Sequence, residues 1–334
     1  MKKSDAVHAI LGKRYGRKPM HTSASAYAPS NIALCKYWGK RDAMLNLPVT
    51  SSLSISLGNK GALTELTLSD EGADSVILNE LPINWISPFG KRLLEYLNLF
   101  REGSDLHINI KIQTNIPIAA GLASSACGFA SMIRALNQLF GWNLDERELS
   151  LLARLGSGSA SRSIWQGFVE WHAGEREDGM DCYAEPLEEV WPELCVGLLV
   201  LTAGEKMIGS RDAMQRTVLT SPLYSAWPDK VKTDLPQLKE AIHSNDFELL
   251  GRTAESNALT MHATMMSSWP PICYFLPETI EAMQQIWQLR REGLPLYFTQ
   301  DAGPNLKLLF LEKDKEIVQE YFPAVEVLQP FLSL

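Results

Sequence analysis

Residues 117–126, Pro-Ile-Ala-Ala-Gly-Leu-Ala-Ser-Ser-Ala, have the composition of a loop that binds phosphate. Gly121 allows the backbone to approach an anion closely, and Ser124 and Ser125 place hydroxyl groups beside the free N–H groups of a helix start. Such groups together form the usual phosphate cradle. A tightly packed strand-to-helix turn has the same composition, so the loop alone leaves both interpretations open. It lacks the Gly-Lys-Ser/Thr of a Walker A loop.

Three further clusters combine polar or charged side chains with apolar neighbours. Lysines that aromatic rings shield from water can hold an anion, and an arginine can clamp a carboxylate with two parallel hydrogen bonds. An aspartate between two strands is held rigidly enough to act as a catalytic carboxylate. Considered singly, a solvated strand edge, a helix cap and an Asx turn explain the clusters better. The clusters are residues 31–40 with Lys36, residues 156–163 with Arg162, and residues 301–305 with Asp301.

The hydrophobic pattern predicts the elements that position these clusters. Alternating apolar residues over 106–112 predict a strand before the first loop, and a one-sided apolar stripe over 126–140 predicts a helix after it. Asn143 and Asn245 are predicted to cap the starts of later helices, and Pro277 to begin another. Because strands and helices occur in blocks, the predicted fold class is α+β. Further strands are predicted at 24–38 with a break at Pro29, at 53–57 and 66–68 as a hairpin, and at 76–78, 168–172, 195–201, 296–299 and 306–311, with a helix at 88–100.

The length of the chain predicts more than one domain. A chain of 334 residues exceeds the usual size of a single hydrophobic core. The sequence pattern changes near 186–192, before the buried strand predicted at 195–201. We therefore predict an N-terminal domain over 21–190 and a C-terminal domain over 191–334. Residues 1–20 hold six lysines and arginines against one aspartate and lack the apolar centre of a secretory signal. We predict that they form a flexible basic extension.

The composition narrows the possible partners and the compartment. A net charge of −8 argues against nucleic-acid or membrane-surface binding, and an anionic substrate would need a locally basic pocket. The longest apolar runs are too short to span a bilayer. The five cysteines form no Cys-x-x-Cys pair, and the six histidines show no zinc-ligand spacing. These features predict a cytoplasmic protein whose partner is a small molecule.

Taken together, the four clusters resemble the small-molecule kinase superfamily of galactokinase, homoserine kinase, mevalonate kinase and phosphomevalonate kinase. Residues 117–126 match its Pro-x-x-x-Gly-Leu-x-Ser-Ser-Ala phosphate loop. More narrowly, the chain resembles the mevalonate diphosphate decarboxylase family over about residues 26–310. The resemblance implies a deep cleft between an N-terminal mixed β/α domain and a C-terminal α/β-sandwich domain. The motifs that carry it lie at 31–33, 36–42, 47–48, 51–54, 156–163, 167–171, 174–175, 178–179 and 301–305.

The resemblance implies a reaction and a set of catalytic roles. Family members use ATP and Mg²⁺ to convert mevalonate 5-diphosphate to isopentenyl diphosphate, ADP, phosphate and CO₂, a step of isoprenoid biosynthesis by the mevalonate route. By resemblance, Asp301 contacts the substrate's 3-hydroxyl as general base or orienting acceptor. Arg162 binds the substrate carboxylate, with Asn31 holding both groups in place. Lys36 supplies positive charge beside Asp301 and the transferring phosphoryl group.

The remaining roles implied by the resemblance concern phosphate binding and assembly. Ser125 is also expected to approach the ATP-bound Mg²⁺, and family members tend to be homodimers. Alternatives are a decarboxylase of mevalonate 5-phosphate, a mevalonate 3-kinase, and a non-catalytic ligand sensor on the same fold. The expected nucleotide-binding residues are Pro117, Gly121, Leu122, Ala123, Ser124, Ser125 and Ala126. The expected substrate-diphosphate residues are Tyr37, Lys40, Ser157, Ser159, Ser210 and Arg211, next to Arg162.

Overall fold

The structure, a computed structural model, describes residues 1–101, 104–116, 124–202, 204 and 207–332. Within these residues, strands and helices occur in the blocks of the predicted α+β class. The strands are β1 (Ser23–Cys35), β2 (Lys40–Asp42), β3 (Leu47–Pro48), β4 (Ser52–Leu68), β5 (Ser75–Leu78), β6 (Leu81–Pro82), β7 (Ile108–Thr114), β8 (Phe168–Trp171), β9 (Ala184–Pro186), β10 (Leu194–Leu199), β11 (Tyr297–Gln300), β12 (Leu306–Leu311) and β13 (Glu326–Leu328). The helices are α1 (Lys3–Leu11), α2 (Pro88–Asn98), α3 (Ser124–Phe140), α4 (Glu146–Gly156), α5 (Ser210–Thr220), α6 (Trp227–Ser244), α7 (Phe247–Met266), α8 (Pro277–Arg291) and α9 (Lys315–Tyr321).

Two sheets form the framework. The larger has the order β6-β5-β7-β4-β8-β9, with β1 antiparallel to β4, and the smaller has the order β11-β12-β10-β13. Helix α3 covers β1 and β4 with its apolar face, while α7 packs against both β1 and β11. Because α7 touches one strand of each sheet, it brings the C-terminal ends of β1 and β11 together. None of the described helices is long and apolar enough to cross a lipid bilayer.

The predicted hairpin at 53–68 is wrong, because β4 is one continuous strand. The Gly-Asn-Lys-Gly at 58–61 suggests a turn, but β1 pairs with β4 on both sides of it: Asn31 faces Ser56 and Ala28 faces Ala62. The register of this pairing shifts between Pro29 and Asn31, so the chain accommodates Pro29 without ending β1 there. Gly61 is required there, because a Cβ atom would lie 2.2 Å from the carbonyl oxygen of Ala28.

The N-terminal segment differs from the predicted flexible extension over residues 1–20. Residues Lys3–Leu11 form α1, which packs against α4 and buries Ala6, Val7, Ile10 and Leu11 in the main core. The predicted division at 190/191 stays a prediction. One buried cluster has members on both sides of it, among them Trp171 and Trp227.

Candidate active site

A cavity of about 770 Å³ opens where β1, α2, α5 and the turn after β11 meet. Among its described lining residues, six cationic side chains outnumber three anionic ones. A chain with a net charge of −8 therefore concentrates positive charge at this place, which favours an anionic ligand. The cations are Lys36, Lys40, Lys91, Arg92, Arg162 and Arg211, and the anions are Glu95, Asp212 and Asp301.

Lys36 and Asp301 meet at the bottom of this cavity. Lys36 directly follows β1 and Asp301 directly follows β11, so the packing of α7 on both strands sets their distance. The Lys36 Nζ atom lies 2.7 Å from Asp301 Oδ1 and also donates to the carbonyl of Ala33 at 2.8 Å. On α7, the Asn257 Oδ1 atom accepts from the Lys36 backbone N–H at 2.8 Å. Helix α7 thus fixes the end of β1 as well as approaching β11.

A second lysine, Lys307, contacts the other carboxylate oxygen of Asp301. Its Nζ atom lies 3.3 Å from Asp301 Oδ2, and its side chain is 1% exposed. Burial alone would raise the pKa of Asp301, but the charges and hydrogen bonds of Lys36 and Lys307 outweigh it and hold the pKa well below its usual range. Asp301 is therefore a carboxylate at neutral pH. Lys307 is not among the residues nominated from the sequence, although a lysine inside the apolar run 306–311 is a signal.

Burial also shifts the pKa of the groups around Asp301. It lowers the pKa of Lys36 to about 8, even though Asp301 favours the ammonium form. It lowers the pKa of His262 to about 3, with the charge of Lys36 acting in the same direction. The neutral His262 on α7 donates from Nε2 to the Asp301 backbone carbonyl at 3.1 Å. This bond fixes the backbone that carries the carboxylate.

Arg162 and Asn31 form a hydrogen-bonded pair on another wall of the cavity. The loop at 156–163 forms a 3₁₀ helix, Gly158–Ile164, which carries the buried Arg162. Arg162 donates from Nη1 to Ser52 Oγ at 2.6 Å and from Nε to Asn31 Oδ1 at 3.2 Å. The amide nitrogen of Asn31 donates to Ser163 Oγ at 2.7 Å. The two bonds donated by Arg162 use its Nε and Nη1 atoms, which leaves Nη2 as the atom that can serve a ligand.

Burial lowers the pKa of Arg162 to about 10, while the charge of Asp301 acts in the opposite direction. Arg162 is therefore cationic at neutral pH and interacts electrostatically with Asp301. Together with Lys36, it places two cations beside one carboxylate. Such an arrangement can bind a carboxylate ligand and a phosphoryl group next to each other.

All six residues expected to bind the substrate diphosphate line the same cavity, namely Tyr37, Lys40, Ser157, Ser159, Ser210 and Arg211. Burial and the charges of Arg211 and Lys3 lower the pKa of Lys40 to about 8. The Tyr37 hydroxyl is buried without a hydrogen-bond partner among the described residues. An orphaned polar atom at a cavity wall fits a site that binds a polar ligand.

The predicted nucleotide loop is only partly described. Residues 117–123, with Pro117, Gly121, Leu122 and Ala123, lie outside the described residues, as does the side chain of Ser124. Ser125, in the first turn of α3, lines the cavity, and its Oγ atom lies 3.5 Å from that of Ser157. Ala126 is fully buried in the core and is not among the described residues that line the cavity.

Helix α2 contributes two cations that the sequence analysis did not nominate. Lys91 and Arg92 lie in its first turns and line the cavity. Arg92 Nε is buried and has no hydrogen-bond partner among the described residues. The sequence feature that could have identified these residues is a basic pair near the capped start of an amphipathic helix. No group of three or more potential metal-ligating side chains occurs within the described ranges.

Comparison with known proteins gives the same family from sequence and from structure. Residues 28–184 match the model of the diphosphomevalonate decarboxylase-like N-terminal domain, and residues 196–332 match that of the mevalonate 5-diphosphate decarboxylase C-terminal domain. The chain is 39% identical to diphosphomevalonate decarboxylase mvd1 of Aspergillus fumigatus, over 90% of this chain and 80% of the relative.

Two solved structures are similar over nearly the whole chain. Mevalonate diphosphate decarboxylase from Staphylococcus aureus has a TM-score of 0.86 and 37% identity, covering 92% of this chain and 95% of the other. MDDEF in complex with MVAPP, AMPPCP and magnesium has a TM-score of 0.83 and 40% identity, covering 92% of this chain and 96% of the other. The similarity therefore includes both family domains.

Proposed function

The chain belongs to the mevalonate diphosphate decarboxylase family, and from this premise we propose that it converts mevalonate 5-diphosphate to isopentenyl diphosphate. The reaction consumes ATP in the presence of Mg²⁺ and releases ADP, phosphate and CO₂. The observation that carries the proposal is the position of Asp301 between Lys36 and Lys307, with Arg162 nearby, in a basic cavity.

Asp301 is proposed to orient the substrate's 3-hydroxyl. This tertiary hydroxyl is a poor leaving group and has to be phosphorylated before it departs. A carboxylate that contacts two ammonium groups is a weak base, since both partners favour its ionised form. We therefore assign Asp301 the role of a fixed hydrogen-bond acceptor that aims the hydroxyl oxygen at the phosphoryl group. Lys36 adds positive charge where negative charge accumulates during the transfer.

Arg162 is proposed to hold the substrate carboxylate through its Nη2 atom, which the bonds to Ser52 and Asn31 do not use. Ser52 and Asn31 fix the guanidinium plane, so the carboxylate is held in one orientation relative to the 3-position. Once the 3-oxygen leaves as phosphate, electrons from the carboxylate C–C bond form the double bond and CO₂ departs. The role of Arg162 is to keep that bond aligned with the leaving group.

The residues on the nucleotide side fit ATP and Mg²⁺. The 17-residue helix α3 begins at the cavity, with Ser125 in its first turn, and a helix N-terminus favours phosphate. Lys91 and Arg92 of helix α2 add positive charge to the same cavity. When bound, ATP supplies the phosphoryl group, and Mg²⁺ neutralises part of its charge. We propose that Ser125 faces the bound Mg²⁺.

One assay tests the reaction. The protein is incubated with ATP, Mg²⁺ and either mevalonate, its 5-phosphate or its 5-diphosphate, and both ADP and CO₂ are measured. We expect equal amounts of ADP and CO₂, with the 5-diphosphate as the preferred substrate. ADP without CO₂ would indicate a 3-kinase, preference for the 5-phosphate a different decarboxylase, and no product from any substrate a ligand sensor.

We further propose that the protein is a cytoplasmic homodimer. The five cysteines are free in the structure, which supports a reducing compartment. Near the ends of α5 and α7, which a hydrogen bond between Ser221 and Ser267 joins, exposed apolar side chains support a contact between two copies; they are Leu219, Leu223, Met266 and Trp269. Light scattering on wild-type protein and on Trp269→Asp would test this: the variant should be monomeric. A monomeric wild-type protein would contradict the proposal.

A further inference from the structure

The N-terminal helix α1 reaches the substrate side of the active site. Its apolar face packs against α4, and an ion pair between Arg14 and Glu148 ties the segment after α1 to the start of α4. At the other end of α1, Lys3 Nζ donates to the carbonyl of Leu155, in the last turn of α4, at 2.8 Å. The matched family domain begins only at residue 28, so α1 lies before it.

Side chains from three distant segments satisfy the last carbonyls of α4. Asn46 Nδ2 donates to the carbonyl of Arg154, Lys3 Nζ to that of Leu155 and Arg211 Nη2 to that of Gly156, each at 2.8 Å. Carbonyls at a helix C-terminus lack intrahelical partners, and cations are favourable there because of the helix dipole. Lys3 is therefore one of three groups that fix where α4 ends.

The end of α4 determines the position of the substrate loop. Ser157 follows Gly156 in extended conformation, and the 3₁₀ helix with Ser159 and Arg162 begins immediately afterwards. A displacement of the last turn of α4 would consequently move these three side chains together. Arg211, which is bonded to Gly156, would lose part of its support as well.

Lys3 is also electrostatically connected to the active site. It lines a small cavity of about 120 Å³ together with Arg92, Glu95 and Arg211, and these three residues also line the active-site cavity. Burial and Arg211 lower the pKa of Lys3, while Glu95 acts in the opposite direction, and the charge of Lys3 in turn acts on Lys40. Lys3 thus belongs to the group of cations around the expected diphosphate site.

We propose that Lys3 is a positioning residue for the substrate diphosphate. It holds the last turn of α4 so that Ser157, Ser159 and Arg211 converge on the ligand, and its charge adds to theirs. The inference rests on the proposed function, because it assumes that this side of the cavity binds the diphosphate group. Helix α1 is then part of the substrate site of this chain.

The test compares Lys3→Met with Lys3→Arg and with Lys13→Met, a matched loss of charge at an exposed lysine just after α1. Steady-state kinetics give kcat and the KM values for mevalonate 5-diphosphate and ATP. For Lys3→Met we expect a KM for the diphosphate that is about threefold to tenfold higher, the range for one charge-assisted hydrogen bond acting through a loop. Both kcat and the KM for ATP should stay within about twofold.

The controls separate positioning from folding. Lys3→Arg should restore the KM, because a guanidinium can donate to the same carbonyl, and Lys13→Met should match the wild type. An unchanged KM in Lys3→Met would overturn the inference. So would a uniform loss of all kinetic parameters accompanied by a lower melting temperature, which would indicate packing alone. If the wild type did not turn over the diphosphate, the proposed function would fail first.

Discussion

The two sides of the cavity are built differently. The corner around Asp301 is buried and internally paired: Lys36 and Lys307 are each 1% exposed, and both contact the carboxylate. The rim is more open, with Arg211 exposed and Lys40 half-buried. On this side Arg211 bonds a backbone carbonyl, and the buried hydroxyl of Tyr37 has no hydrogen-bond partner within the part of the chain that the structure describes.

From this difference we infer that the corner carries out the reaction and that the rim recognises the substrate. Charges at the corner are arranged before any ligand binds, so little reorganisation is needed when the reaction begins. Charges at the rim are partly solvated and bond only neutral groups, Lys40 with Asn46 Oδ1 and Arg211 with the carbonyl of Gly156, so a bound anion would supply their countercharge. We therefore expect changes at the corner to act mainly on kcat and changes at the rim to act mainly on the KM for the substrate.

The largest effect is expected at the corner. Asp301→Asn removes the charge that both lysines contact and the acceptor for the 3-hydroxyl, so kcat should fall by about a thousandfold or more. Binding of the diphosphate and of ATP, measured by calorimetry, should change little. Asp70→Asn, at an exposed position, serves as the control. Near-normal turnover of Asp301→Asn would remove the distinction between corner and rim.

An intermediate effect is expected from pH. Lys36 has a pKa of about 8, so its ammonium form predominates below pH 8 and is lost as the pH rises above it. We expect kcat to fall about tenfold per pH unit well above that value. Lys36→Arg, which stays protonated, should flatten this alkaline limb even if its overall rate is lower. An alkaline limb that is identical in the variant would mean that another group titrates.

The smallest effect is expected at the rim. Lys40→Met removes one of several cations around the expected diphosphate site, so the KM for mevalonate 5-diphosphate should rise by about threefold to tenfold. The value of kcat should be retained. A loss in kcat with no change in KM would show that Lys40 belongs functionally to the corner.

Sequence alone predicted much of the site because its residues lie in continuous motifs. Asn31, Lys36, Arg162 and Asp301 each lie in such a motif, the combination of the motifs carried the family resemblance, and the structure places the four residues around one cavity. Lys307 escaped because its contact depends on the pairing of two strands: it faces Thr299 across β11 and β12, two residues before Asp301. Strand register is a tertiary property that a single sequence does not specify.

Two predictions that rested on local sequence signals were wrong, the helix cap at Asn245 and the flexible N-terminal segment. Asn245 does not cap the start of α7; it ends α6 in a left-handed conformation, and Asp246 provides the cap, accepting from the Leu249 backbone N–H. The prediction of a flexible extension over residues 1–20 rested on their six basic residues. Four apolar residues of α1 nevertheless suffice to bury one helical face against α4.

We infer that Asp301 is a permanently ionised acceptor in the ligand-free protein. The direct measurement is the ¹³C chemical shift of its carboxyl carbon, assigned by the difference between aspartate-labelled wild type and Asp301→Asn. Because Lys36 and Lys307 hold the pKa of Asp301 well below its usual range, the signal should not titrate between about pH 5 and 7, an interval below the pKa of Lys36. A titration with its midpoint inside that interval would contradict the claim and assign Asp301 the role of a proton-accepting base instead.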